Sequence, residues 1–190
     1  MIDGLTARII EKSNFNVTFM SGFGVSAAFG YPDVGLMTQT EMTQQGRIIC
    51  NALQRIPCIG DGDTGYGNEV NLKRTVELYA QAGLSGIMIE DQVSPKRCGH
   101  LNGKMVVSRN EAYNRIKAAV DQRDKMGTDI VILARTDANI INIDEAIERC
   151  KMFRSLGADI TFVEGPKSKE EMLKYCSMVA NTLIKYSFSP

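Results

Sequence analysis

An alternating α/β fold around a buried parallel sheet follows from three features of the 190-residue sequence. Short apolar runs alternate with longer amphipathic stretches, the order that repeated strand-then-helix units produce. The runs are β-branched or otherwise apolar and lack period-2 alternation, as strands covered on both faces read. Each run is followed at once by polar groups: Ser21-Gly22, Asp61-Gly62-Asp63, Glu90-Asp91, Arg135-Thr136-Asp137 and Glu164-Gly165. Five successive strands delivering such groups at their C-terminal ends favour a (β/α)8 barrel over a doubly wound open sheet, which gathers ligand contacts at one switch point.

The strands are expected over 16–20 (NVTFM), 57–60 (PCIG), 86–89 (GIMI), 130–134 (IVILA) and 160–163 (ITFV), and none reads as an exposed edge. Between them, helical spacing places Met42, Ile49 and Leu53 on one face of 39–54, and Leu72, Val76 and Tyr79 on one face of 69–82. The same spacing groups Ala112, Ile116 and Ala119 within 109–126, and Ala146, Cys150 and Phe153 within 143–156. A last helix carries Met172, Cys176 and Val179. Three starts are marked by S/T-x-x-E, at Thr38 to Glu41, Ser108 to Glu111 and Ser168 to Glu171. Gly83, Gly127 and Gly157 stand where left-handed C-caps are expected. The whole of 1–190 reads as one domain, without linker or low-complexity segment.

Composition narrows the function classes. Lys plus Arg equals Asp plus Glu at 22 each, so there is no electrostatic reason to bind nucleic acid or an anionic membrane, and no apolar run is long enough to span one. Five irregularly spaced cysteines and one histidine argue against a disulfide framework or a structural zinc site, and point to the reducing cytoplasm. The first residues have neither a secretory nor a transit-peptide plan, so the Asn16-Val17-Thr18 sequon reads as chance. The ten methionines read mostly as core filler.

The densest polar motif is GDGDTGYGN, 60–68. It reads equally as an Asp-rich turn in which Asn68 caps the next helix, or as carboxylates converging on a hard cation. Neighbouring strand ends lie about 5 Å apart, so Asp61, Asp63 and Glu90 can surround one divalent ion that offsets their repulsion. Magnesium keeps several waters, so most of these acids would act through water. The second motif is PKRCGH, 95–100, where Lys96, Arg97 and His100 surround Cys98 with positive charge that favours a thiolate. Arg135, ending the run ILAR, suits bidentate capture of a carboxylate, or else an ion pair with neighbouring acids. Gly22-Phe23-Gly24 lacks a third glycine and shows no helix opening on it, so a dinucleotide-binding reading is rejected.

At Met20-Ser21-Gly22, Pro32-Asp33, 61–67 (DGDTGYG), 89–92 (IEDQ), 96–100 (KRCGH) and 134–137 (ARTD), the sequence resembles the isocitrate lyase/phosphoenolpyruvate mutase superfamily. The likeness is strongest to its 2-methylisocitrate lyase and oxaloacetate/alkylmalate lyase-like branch. It implies a TIM barrel of the phosphoenolpyruvate/pyruvate type and a Mg2+-dependent (or Mn2+-dependent) enzyme acting on 2-oxo or 2-hydroxy carboxylates. The position of Asp61 would touch the metal, while those of Asp33, Asp63 and Glu90 would hold its waters. Ser21, Gly22, Gly99, His100, Arg135 and Glu164 would contact substrate. Lys96 to His100 would form a mobile loop with Cys98 as the acid/base, and Lys96, His100 and Arg135 would serve the chemistry beside it. The implied reaction is retro-aldol cleavage of a 2-hydroxy di- or tricarboxylate. A phosphonomutase is the alternative.

Family members begin with a strand that precedes the segment matching Asp3 to Arg8, and they continue past Val179 into further strands, a substrate-binding asparagine and C-terminal helices used in homo-oligomer contacts. Here 180–190 (ANTLIKYSFSP) departs from that pattern, and Asn181 stands in surroundings that do not match the family's asparagine. The predicted strands recur about every 36 residues, so eight units need roughly 290 residues. The expectation is therefore an incomplete barrel lacking its first strand and strands seven and eight, with exposed apolar edges. An inactive variant associating with a full-length partner is a third reading. A longer N-terminus would allow a mitochondrial location.

Overall fold

The computed structural model describes residues 1–99 and 101–183, with side chains described to residue 179. Five strands, β1 (Thr18–Met20), β2 (Cys58–Asp61), β3 (Gly86–Glu90), β4 (Val131–Thr136) and β5 (Ile160–Val163), form one parallel sheet in sequence order. Seven α-helices accompany them: α1 (Gly4–Lys12), α2 (Gly22–Ala28), α3 (Gln39–Ala52), α4 (Glu69–Gln81), α5 (Arg109–Met126), α6 (Ile143–Ser155) and α7 (Lys169–Leu183). A 3-10 turn, Ala138–Ile140, follows β4. Sequential order without reversal is the connectivity of a barrel wall and removes the doubly wound alternative.

The strands divide their side chains between two environments. Met20, Cys58, Ile87, Ile89, Ile132 and Ala134 are buried beneath the helices. The other face bears Phe19, Asp61, Met88, Glu90, Leu133, Arg135 and Phe162, which line an open cavity of about 520 Å³. Because β5 has no further strand beside it among the described residues, Ile160 and Phe162 are exposed. β5 is thus an exposed apolar edge, as expected of an incomplete barrel, while the reading of each run as a covered strand is corrected, since β4 and β5 alternate in burial.

The predicted helix boundaries hold within two residues, but the capping boxes do not all close. Thr38 and Glu41 cap each other reciprocally, whereas Ser108 and Ser168 accept from the amides of Glu111 and Glu171 without a returned bond, and Glu171 instead accepts from Lys167. Gly83, Gly127 and Gly157 all carry positive φ, as the C-cap reading requires. Met20, Met37, Met42 and Met88 are buried, but Met105, Met152, Met172 and Met178 are exposed, so the methionines serve as core filler only in part.

Two helices were not legible in the sequence. In α1, Asp3 accepts from the Thr6 amide at 2.7 Å and the Thr6 hydroxyl answers, a capping box written with Asp and Thr. In α2, Ser21 caps a helix that opens on Gly22, so the reasoning that no helix begins at 22–24 is corrected. The missing third glycine and the strand order still exclude a dinucleotide fold.

Candidate active site

Strand register brings the site together. Glu90 pairs with Arg135 across β3 and β4, and Asp61 pairs with Met88 across β2 and β3, so these side chains rise from one face at the same end of the sheet. Beyond β2 the chain turns through 62–67 with Asp63 and Tyr66 at positive φ. Asp61 Oδ1 accepts from the Asp63 amide at 3.1 Å, and Asp61 Oδ2 accepts from the Gly22 amide at 3.2 Å. Gly22 is required there, since a Cβ would sit 2.8 Å from Asp61 Oδ2. The turn reading of the Asp-rich motif is realised, because Asn68 caps α4.

The acids are strained electrostatically. Burial, and then the neighbouring Asp61, push the Asp63 carboxyl up to about 6 despite the attraction of Lys96. Burial pushes Glu90 up as well, against the pull of Arg135. Glu90 Oε1 has no hydrogen-bond donor among the described residues. Lys96 reaches in from the loop, its ammonium bonded to Asp33 and 2.8 Å from Asp63 Oδ1. Burial opposes its charge, but Asp63, Asp61 and Asp33 outweigh it and hold the Lys96 pKa above its usual value. No three acids among the described residues cage an ion by themselves. Four carboxylates, among them the unpartnered Glu90 Oε1 and an Asp61 oriented by the Gly22 amide, fit a small hard cation held mainly through water.

Across the cavity stands a second cluster. Asp137 holds Arg135 with two hydrogen bonds, Nε to Oδ2 at 2.9 Å and a terminal nitrogen to Oδ1 at 3.1 Å. Glu90 and Glu164 each lie 3.4 Å from the same guanidinium. Arg135 is therefore ion-paired and also borders the cavity, so neither reading of it displaces the other. Asp91 points the opposite way, into a buried network with Thr136 and Arg149.

Residues 92–99 and 101–106 form a flap over the cavity. Its ends are joined by a Gln92–Val106 bridge and by the Val93 amide donating to the Met105 carbonyl at 2.8 Å. Gln92 fixes Arg97 by bonding both its amide and its carbonyl at 2.9 Å. Cys98 and Gly99 line the cavity, whereas Lys96 is turned to the acids and away from the role of basic neighbour to Cys98. Gly99 lies against Arg135 and Glu164, where an added Cβ would meet them at 2.8 and 2.9 Å. Ser21 borders the cavity, but its hydroxyl caps α2. His100 lies outside the described residues, as does the side chain of Asn181.

Sequence reasoning missed two supports. Tyr79, expected only as core, donates to the Asp61 carbonyl at 2.7 Å and meets Tyr66 at 3.2 Å; a tyrosine in an aliphatic stripe was the available signal. Lys104, on the flap, donates to the Gly99 carbonyl and lies beside Asp137.

The model of the family described as phosphoenolpyruvate phosphomutase matches residues 1–187. The chain belongs to this family. Among its relatives, 2,3-dimethylmalate lyase of Eubacterium barkeri is 48% identical over 172 residues, covering 90% of this family member and 58% of the relative. The structure of oxaloacetate acetylhydrolase with the inhibitor 3,3-difluorooxalacetate matches with a TM-score of 0.92 at 40% identity, covering 95% of this chain and 62% of that one. Phosphonopyruvate hydrolase in complex with oxalate and Mg++ matches with a TM-score of 0.82 at 30% identity, over 93% of this chain and 61% of that one. This family member thus spans about three fifths of the length of these relatives. No helix among its described residues is long and apolar enough to cross a membrane.

Proposed function

We propose that this chain carries the site of a magnesium-dependent carbon–carbon lyase that cleaves a 2-hydroxy di- or tricarboxylate of the alkylmalate, 2-methylisocitrate or oxaloacetate type. The observation that supports it is one cavity bounded by an acid cluster on β2 and β3, an arginine on β4, and a flap cysteine between them. When bound, magnesium would polarise the oxygen-rich end of the substrate and offset the repulsion among the acids. Asp61 would touch it, and Asp33, Asp63 and Glu90 would hold its waters. Arg135, steadied by Asp137 and Glu164, would bind a substrate carboxylate bidentately. Ser21, Gly22 and Gly99 would complete the substrate wall.

In the cleavage, a general base takes the substrate hydroxyl proton and the carbon–carbon bond breaks, giving a 2-oxo acid and a carboxylate enolate; oxaloacetate would first add water to its ketone and then give oxalate and the acetate enolate. The Cys98 thiol then delivers its proton to the enolate carbon, and the flap excludes water until it has done so. Five free cysteines accord with a reducing cytoplasm.

The test is turnover of 2,3-dimethylmalate, 2-methylisocitrate and oxaloacetate by the unaltered chain and by Cys98→Ser. Loss of turnover on substitution is expected, and equal turnover removes Cys98 from the reaction. The family's description as a phosphomutase favours one second reading, phosphonomutase chemistry at the same arginine and acids. Phosphorus NMR of phosphonopyruvate incubated with the chain distinguishes the two.

A further inference from the structure

Lys104 belongs to none of the groups assigned above, yet it stands where the flap touches the carboxylate that orients Arg135. Its Nζ donates to the Gly99 carbonyl at 2.6 Å and lies 3.1 Å from Asp137 Oδ1. Its side chain is only 9% exposed and that of Asp137 is fully buried, so the contact is made away from bulk water. The same Asp137 Oδ1 accepts from Arg135, and Asp137 Oδ2 accepts from Arg135 Nε. One carboxylate therefore serves two cations, one fixed on β4 and one carried by the flap. Asp137 is itself anchored, its amide donating to Asp91 Oδ1 at 2.8 Å.

We propose that Lys104 is a positioning residue: bonded within the flap to the Gly99 carbonyl, it latches the flap to Asp137 and so sets the guanidinium plane of Arg135 only when the flap is shut. This rests on the reading of the cavity as a lyase site. Charge-assisted hydrogen bonds in a water-poor site are directional as well as strong, so the lysine favours one arrangement of Asp137 and hence of Arg135. When the flap lifts, Lys104 departs with the Gly99 carbonyl, and Asp137 is left to Arg135 alone. Closure and the preparation of the carboxylate clamp are then a single event.

Hydrogen exchange of the substrate-free chain, followed by mass spectrometry, reads the latch without turnover or metal. In Lys104→Met the peptides spanning 93–106 are expected to exchange at least about tenfold faster, because opening no longer breaks the lysine's contact with Asp137. Peptides from β2 and α3 should not change. Flap exchange equal to that of the unaltered chain overturns the proposal. Should β2 and α3 also loosen, Lys104→Arg is read instead: it keeps the charge and is expected to stay within about threefold of the unaltered rate, and a flap as loose as in the methionine variant overturns the latch.

Kinetics read the link to Arg135. In Lys104→Met, kcat is expected to fall about tenfold to a hundredfold with KM within about threefold, since substrate still meets the open site while the reacting geometry is lost. A KM rise with unchanged kcat overturns the positioning role. A chain without turnover whose flap nevertheless loosens in Lys104→Met refutes the lyase reading and leaves the latch standing.

Discussion

Arg149 and Asp91 form an ion pair at 2.9 Å with side chains only 4% and 2% exposed, and it holds the outer side of the site's floor. Asp91 also accepts from the Thr136 hydroxyl at 2.6 Å and from the Asp137 amide at 2.8 Å, while Arg149 donates to the Val107 carbonyl at 3.0 Å. The network ties β3, the end of β4, α6 and the exit of the flap together behind the face that lines the cavity. Removing the arginine leaves Asp91 as a buried anion with only neutral donors, a change that typically costs about 3–5 kcal/mol. Arg149→Met is accordingly expected to lower unfolding free energy by about that amount in urea titrations. A loss below about 1 kcal/mol would show that the pair contributes little.

Gly99→Ala places a methyl group 2.8 Å from an Arg135 terminal nitrogen and 2.9 Å from Glu164 Oε1. The flap must then lift or the ion pair must shift, and either disturbs the proposed carboxylate clamp. The expected outcome is a fall in kcat/KM of about tenfold or more, with the melting temperature nearly unchanged because the flap lies outside the core. Full activity in the alanine variant would mean that the flap does not close as tightly on Arg135 during turnover.

Acid stability depends on Glu145. Hydrogen bonds from Arg109, reinforced by Arg149, hold its carboxyl down at about 2, against an ordinary 4.5. A carboxylate with a depressed folded-state pKa contributes stability above its unfolded value and loses that contribution as pH falls through the folded value. The advantage of the unaltered chain over Glu145→Gln should therefore be constant above about pH 5 and shrink steadily towards pH 2. Urea titrations of both proteins across that range provide the measurement. An advantage that does not vary with pH would show that the ion pair is not its source.

The sequence revealed the strands and the groups they deliver because both are local. An apolar run followed by DGD, ED, ART or EG announces a buried strand ending at a polar rim, and Asp61, Glu90, Arg135 and Glu164 all border the cavity. Contacts between distant segments were hidden. Lys96 meets Asp33 across 63 positions, and Glu11 accepts from the amides of Gln54, Arg55 and Ile56 more than 40 positions away. Nothing in a basic loop says which acid its lysine will choose. The helix α2 was missed for another reason: seven residues containing two glycines give too short a stripe to show helical periodicity, and its stability comes from the Ser21 cap and from packing. The exposed edge at β5 was misread because ITFV is as apolar as a covered strand, and exposure there depends on what lies beside it.

Magnesium binding can be tested apart from turnover. The unpartnered Glu90 Oε1 and the crowding of Asp61, Asp63 and Asp33 around the single ammonium of Lys96 leave buried negative charge that a divalent ion would offset. A ligand at one hundred times its dissociation constant stabilises the folded state by about 2.7 kcal/mol, which for a chain of this size raises the melting temperature by about 5–10 °C. Calorimetry of the unaltered chain with saturating magnesium chloride should show that rise, and potassium chloride at equal ionic strength should not. Asp61→Asn should abolish the rise, since this residue is proposed to touch the ion. Glu145→Gln, whose carboxylate bonds Arg109 and Arg149 and none of these acids, should retain it. A rise that persists in Asp61→Asn would move the ion away from β2, and no rise in the unaltered chain would mean that these acids do not hold magnesium in the absence of substrate.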